Sequence, residues 1–343
     1  MNNPLKIFYN WRYWPKEILY FPLAIKVFIF GAIRTGRIFY FSAANPNVSL
    51  GGFASDSKFQ IHNNIPIQYK PITTLILKSD VFSEVLNKMV HEGIRFPLIV
   101  KPDIGEGGFL VKKINSSEEL EIFHQNHNMD YLLQEFIDLP IEVSILVHDA
   151  SGQLEISSIT EREYITFIGD GKSNIKKLIS ENRNSKYRQR KIKYLLHNDL
   201  GKVLMKGEVW KPITIGNWDY GATYTNRSDF ITKEMTSSFQ AVNNQVGLFH
   251  YARYDIKCSS MEALAKADFI IIEINGVKGE PIHIYDLGTN LVYAYKEIFK
   301  HWNYIMEISI RNMKNGAKPT SFLPGIKILY HHLITKRQSV KPK

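Results

Sequence analysis

The chain of 343 residues contains one cysteine, Cys258. A single thiol excludes an intrachain disulfide framework and a cysteine-based zinc cluster. It fits a reducing compartment without requiring one. Internal repeats and long low-complexity tracts are also missing, which excludes solenoid architectures. No serine or cysteine stands in a clear catalytic arrangement, so covalent acyl-enzyme chemistry has no visible carrier. The longest nearly apolar stretch, Leu19 to Ile33, is interrupted by Lys26 and falls short of the roughly 20 residues that span a bilayer. It also lacks the position and small-residue cleavage site of a secretory signal.

What is present describes a folded protein. Hydrophobic residues make up 44% and charged residues 22%, a globular balance, in a chain long enough for two or three subdomains. Lysine and arginine exceed aspartate and glutamate by 43 to 33, a formal charge of +10. That excess favours nucleic acid, anionic lipid or an anionic substrate. The densest basic run, Lys186 to Lys193, has no nucleic-acid motif around it and reads equally well as a solvated helical face, making nucleic acid the weaker partner. The aromatic-rich segment Trp11 to Phe41 reads as a helix or helix pair packed on the body. Its Trp11, Trp14, Lys26, Arg34 and Arg37 also suit lipid headgroups, which keeps peripheral membrane contact open.

Periodicity gives a mixed α and β order with short connections, an α+β class. We expect a helical accessory region at residues 1–65, whose segment Ser42 to Gln60 is a loop for substrate or a connector. A small subdomain follows at 66–140, a larger one at 141–325, and a basic C-terminal tail at 326–343, frayed from Leu333. Strands are predicted at Pro71 to Leu77, Phe96 to Val100, Phe109 to Ile114, Tyr131 to Ile137, Val143 to Val147, Glu155 to Thr160, Val209 to Ile215, Tyr251 to Lys257 and Phe269 to Ile274. Long helices are predicted at Asp229 to Val242 and Asn290 to Ser309.

Three distant pieces carry candidate chemistry. In FPLIVKPDIGEGGFLVKKI, Lys101 ends an apolar strand, and Gly105, Gly107 and Gly108 follow; the glycine amides can approach phosphates closely, or the piece is an ordinary hairpin. In YLLQEFIDLPIEV, Glu135 to Ile137 can offer backbone groups to a base edge and Glu142 can accept from sugar hydroxyls, although both glutamates also read as surface charges. In YARYDIK and DFIIIEINGVKGE, alternation sends Arg253 and Asp255 to one side of a strand, and likewise Glu273 and Asn275. Oxygen ligands of this kind suit magnesium; a buried Asp–Arg pair is the plainer reading.

Together these pieces resemble the ATP-grasp superfamily from about Leu75 to Leu287. GLFHYARYDI followed by EIN is similar to its D-alanine–D-alanine ligase branch, and FIGDGKSNIKKLI resembles a segment of cyanophycin-synthetase-like members. The resemblance implies two α+β subdomains enclosing a nucleotide cleft. It assigns Lys101 and, upstream, Lys78 to the nucleotide phosphates, covered by Gly105, Gly107 and Gly108. Glu135, Phe136 and Ile137 would meet adenine, and Glu142 the ribose. Asp255, Glu273 and Asn275 would hold one or two magnesium ions, with manganese as a substitute. Arg253 would stabilise the reacting oxygens, and Arg162 would bind substrate or phosphate.

Two departures bear on substrate. Asn275 leads into Gly276-Val-Lys-Gly-Glu280 rather than the asparagine–proline–glycine of the family, and eighteen positions separate Asp255 from Glu273. The expected activity is an ATP-dependent carboxylate–amine ligase working through an acyl phosphate on small molecules in the cytoplasm, with oligomeric state open. A small-metabolite kinase or a nucleotide-binding regulatory or membrane-adaptor protein are the alternatives.

Overall fold

The computed structural model describes residues 10–105, 107–182, 188–213, 216 and 218–340, without the side chains of residues 17, 219 and 335–340. Helix α1, Lys16–Ile25, starts after Pro15 and contains Pro22; a proline inside a helix removes one backbone donor and crowds the preceding turn. Beyond it the backbone widens into a π turn at Lys26–Phe30 and returns to α geometry at Gly31–Thr35. One face, with Leu19, Leu23 and Val27, is buried, whereas Phe21, Ile29 and Ile33 are exposed. Packing on the body therefore accounts for one narrow face of the segment. Because the helical stretch continues to Thr35, Ile18–Thr35 is long and apolar enough to cross a membrane by length and composition alone, with 22% of it buried.

The first sheet comprises β1 (Thr73–Ile76), β2 (Leu98–Pro102), β3 (Lys112–Ile114) and β4 (Tyr131–Glu135) in the order β1-β4-β2-β3. All neighbours are antiparallel. Helices α2 (Phe82–His91) and α3 (Ser117–Asn126) bury Val85, Leu120 and Phe123 against Ile76, Leu98, Val100 and Leu133. Ile114 pairs with Leu98 as the apolar pattern requires. The expected strand from Phe109 nevertheless shrinks to Lys112–Ile114. Gly107, Gly108 and Leu110 have φ of 66°, 71° and 53°, values that no regular strand accommodates.

The second sheet has the order β11-β10-β5-β6-β9, built from β5 (Ile141–His148), β6 (Glu155–Glu163), β9 (Thr223–Asn226), β10 (Tyr251–Cys258) and β11 (Ile270–Asn275). Between β6 and β9 a small unit forms its own core from Phe167, Ile175, Ile179, Ile192 and Leu204. It holds the β7–β8 pair (Phe167–Ile168 with Val209–Trp210), α4 (Ile175–Glu181) and α5 (Gln189–Leu195). Much of the basic run thus lies on α5; Lys186 and Tyr187 fall outside the described residues, as do Thr214 and Ile215 of the expected strand at Val209 to Ile215. Helix α6 (Lys233–Val246) seals the back of the sheet through Phe239 and Val242, which pack with Val143, Ile145, Tyr254 and Ile256.

The long aromatic helix is α7, Leu291–Lys314, opened by the Asn290 side chain accepting from Tyr293 N–H at 2.8 Å. It packs with Phe41, Tyr251 and the N-terminal residues in the largest apolar cluster. The C-terminal segment expected to fray is instead helix α8, Phe322–Val340. Phe322 stacks on Phe39 at 6.4 Å, and Ile328 and Leu329 pack on the same cluster, so apolar contacts hold the start of a helix whose backbone runs on into the basic end. Residues 341–343 lie outside the described residues.

Candidate functional site

The register of the second sheet gathers the polar residues of separate strands on one face. Across β10 and β11, Arg253 stands opposite Asn275 and Asp255 opposite Glu273. Across β5, Asp255 stands opposite Ser144, and Glu142 opposite Arg162 of β6. Directly paired residues point to the same side of a sheet, so seven side chains from four strands converge.

Asp255 is the hub. One carboxylate oxygen accepts from Ser144 Oγ at 2.6 Å, Arg162 Nη2 at 2.7 Å and Arg253 Nε at 3.0 Å. The other accepts from Arg253 Nη2 at 3.2 Å and Asn275 Nδ2 at 3.4 Å. Burial alone would raise the Asp255 carboxyl, but Arg162 and Arg253 outweigh it and hold it down at about 2. Arg162 also donates to Glu142 at 3.1 Å, and the Tyr164 hydroxyl donates to the other Glu142 oxygen. Burial opposes the charge of Arg162, yet Asp255 and Glu142 raise its pKa above the ordinary guanidinium value.

Lys101 reaches this face from the first sheet. Its ammonium donates to Gln134 Oε1 at 2.9 Å and to the Ile272 carbonyl at 3.0 Å. Both acceptors are neutral, and burial pulls the Lys101 pKa down to about 8, with Glu273 and Asp255 opposing that shift and Lys58 reinforcing it. Glu273 is 32% exposed and meets Lys58 Nζ at 3.6 Å. The same Lys58 ammonium donates to the Gly105 carbonyl, tying the glycine loop to the last metal-candidate strand.

One cleft of about 910 Å³ is lined by Lys101, Gly107, Gly108, Glu135, Phe136, Ile137, Glu142, Arg162, Arg253, Asp255, Glu273 and Asn275. Two predicted residues stand apart from that lining. Gly105 contributes its carbonyl to Lys58, and Lys78 is exposed in the turn after β1, where its amide donates to Asp130 at 2.9 Å. Lys58, from the segment read as a substrate loop or connector, occupies the space beside Lys101 and Glu273. Its partners lie far away in sequence, so no local pattern marks it.

The residues fit a hard cation in part. Glu273 and Asn275 present oxygen donors of the right kind, whereas Asp255 is committed to two guanidinium groups and would have to exchange one. Among the described residues no group of three or more His, Cys, Asp and Glu side chains forms a metal cluster. The anion side fits better: Lys101, Arg162 and Arg253 are mostly buried cations, and charged hydrogen bonds gain strength away from bulk water.

The departure after Asn275 also has a physical account. The backbone of Val277 and Lys278 donates to the carbonyls of Gly51 and Gly52 at 3.1 and 3.3 Å. A Cβ on Gly276 would lie 2.4 Å from the Gly51 oxygen and 2.8 Å from Gly52 Cα, so this crossing admits only glycine. Four residues further on, Glu280 lines the same cleft and pairs with Lys16 at 2.9 Å.

No model of a known protein family matches the chain, and no curated protein matches it. Among solved structures it is similar to a D-alanine–D-alanine ligase from Bacillus anthracis, at 14% identity over 81% of this chain and 71% of that one, with a TM-score of 0.41. It is also similar to the VanG D-Ala:D-Ser ligase from Enterococcus faecalis, at 14% identity, 75% and 61% coverage and a TM-score of 0.39. A bifunctional glutathione synthetase from Pasteurella multocida gives 11% identity, 77% and 38% coverage and a TM-score of 0.35. The α+β architecture, with two antiparallel sheets meeting at one cleft, agrees with the ATP-grasp resemblance carried by the motifs.

Proposed function

We propose that the protein is an ATP-dependent carboxylate–amine ligase. The carrying observation is the convergence of Lys101, the glycine loop, Glu142, Arg162, Arg253, Asp255, Glu273 and Asn275 on one cleft from segments distant in sequence. Lys101 would hold the phosphates, with the amides of Gly107 and Gly108 above them. Glu135 to Ile137 would border the adenine, and Glu142 the ribose. Glu273 and Asn275, with Asp255 after exchange of a guanidinium contact, would hold magnesium, which supplies charge neutralisation at the phosphates.

In the reaction an oxygen of the substrate carboxylate bonds to the terminal phosphorus of ATP, and ADP leaves. The amine nitrogen then bonds to the activated carbonyl carbon, inorganic phosphate departs, and the nitrogen loses its proton. Arg253 and Lys101 steady the negative oxygens in both steps. Closure of the glycine loop over bound nucleotide would limit attack by water. Glu280 offers a carboxylate beside Arg253 for an acceptor ammonium.

The test is a screen of carboxylates paired with amines, reading ADP and condensed product together. ADP with a condensed product is the expected result. ADP with a stable phosphorylated acceptor would replace the ligase by a kinase, and nucleotide binding with neither product would favour a regulatory protein.

A further inference from the structure

The cleft does not end at the polar face of the second sheet. Its lining also includes Tyr251, Leu23 and Val27 of the N-terminal helical stretch, Phe53, Trp302 of α7 and Leu329 of α8, which together wall an apolar arm. Protein interiors are packed with few voids larger than a water molecule, and the whole cleft, at about 910 Å³, lies near the upper end of small-molecule sites. The walls of the arm are mainly large apolar side chains, with the polar ends of Tyr20, Tyr251, His301 and His332 among them, a lining that favours an apolar chain.

A second observation concerns the wall itself. Leu23 and Val27 are buried, yet the backbone between and beyond them leaves α geometry at Lys26–Phe30. Single π turns inside helices recur at functional sites, because they shift side chains out of regular register. The Lys26 ammonium meanwhile reaches back over the Phe299 ring at 4.8 Å, holding the widened turn against α7. The outer faces of the same two helical stretches carry exposed Phe21, Ile29 and Tyr330.

We propose that the substrate joined at this site is an amphiphile, whose polar carboxylate or amine lies beside Arg253 and whose aliphatic chain fills the arm. This substrate class rests on the ligase reading, and the arm itself stands on the cavity.

The test uses the full chain and linear fatty acids of six to twelve carbons as probes, displacing a dansylated undecanoic acid, with a fluorescent ATP analogue titrated separately. Each added methylene should tighten binding by about two- to fourfold until the arm is full. Val27→Trp should weaken the twelve-carbon probe about tenfold and leave the ATP analogue unaffected. Equal affinity across the series, or an unchanged twelve-carbon affinity in folded Val27→Trp, would overturn the arm. If that variant does not fold, the wild-type series decides, and Leu329→Trp repeats the block from the opposite wall. Failure of the ATP analogue to bind, with chain-length dependence retained, would remove the ligase reading and keep the arm. Offering the dansylated probe in phosphatidylglycerol vesicles and as monomer distinguishes the sources: faster capture from vesicles assigns a bilayer lipid, and capture from solution alone assigns a free amphiphile.

Discussion

Glu273 and Asp255 face each other across β10 and β11, yet removing their charges should have opposite consequences. Glu273 is one-third exposed and has the mostly buried Lys58 at 3.6 Å; a loose pair that solvent reaches on one side contributes about 1 kcal/mol. Glu273→Gln should therefore unfold at nearly the wild-type temperature while product formation with Mg-ATP falls about 100-fold, the scale of a lost electrostatic contact in a transition state. Asp255→Asn leaves two buried guanidinium groups short of a partner and should cost about 3 kcal/mol or more. Thermal unfolding and turnover of both variants check this, and near-normal turnover of Glu273→Gln at saturating Mg-ATP would remove it from the catalytic site. The shared face of Arg253 and Asp255 was legible, because alternation along a strand is a local property. The Arg162–Asp255 and Lys58–Glu273 contacts were not, because they follow from sheet order and from a loop crossing between subdomains. Lys101 yields a second prediction. Its pKa of about 8, against 10.5 for an ordinary lysine, means that between those values the unfolded chain carries the extra proton. Stability should therefore rise with pH through that window, and below pH 8 the fold bears the full cost of a buried cation, about 3 kcal/mol. Phosphates beside Lys101 favour its charged form, so ATP binding above pH 8 should take up a proton, with Kd rising about tenfold per pH unit. Calorimetry in buffers of different ionisation heat measures this. Absence of uptake at pH 9 would separate Lys101 from the phosphates.

At the scale of elements, the strands and long helices followed from their periods, whereas their ends followed from contacts. The glycine loop illustrates the difference. Three glycines predicted a turn, but the loop's anchorage comes from Asp103, whose carboxylate accepts from Ser57 Oγ at 2.9 Å and Phe59 N–H at 2.8 Å. Helix α8 was misread because its basic residues are conspicuous in sequence, while its hold depends on Phe39, which lies nearly three hundred positions earlier. The crossing of residues 51–52 with 276–278 was hidden in the same way, although the segment Ser42 to Gln60 was read as a loop or connector. Here the structure makes a firm demand. Gly276→Ala places a methyl group 2.4 Å from a backbone oxygen and 2.8 Å from a backbone carbon, and neither neighbour is a flexible side-chain end. The variant should lose about 1–3 kcal/mol through overpacking and displace Asn275 from the Asp255 carboxylate. Denaturant unfolding measures the first effect, and weakened Mg-ATP binding in the folded fraction measures the second. Wild-type values for both would mean that the two backbones separate freely.

The molecule as a whole combines a formal charge of +10 with apolar surface on the two helical stretches that flank the arm. Phe21, Ile33 and Leu323 are 65%, 76% and 76% exposed. Scattered exposed apolar residues need no explanation, but these lie on α1, on its continuation after the π turn and on α8, the elements that wall one cavity. Lys26, Arg34 and Arg37 occupy the same N-terminal stretch, so apolar insertion and attraction to anionic headgroups would act together. The expected outcome is sedimentation with phosphatidylglycerol vesicles at low salt and much weaker sedimentation with neutral vesicles. Raising salt from about 50 to 500 mM shortens the screening length severalfold and should weaken binding without abolishing it, because the apolar contribution is not screened. A Phe21→Ser, Ile33→Ser double variant should lose the salt-resistant part and keep nucleotide affinity, since neither residue lines the cleft. If the protein stays in the supernatant with anionic vesicles at low salt, the apolar faces belong to another partner, and the arm must then take its chain from solution.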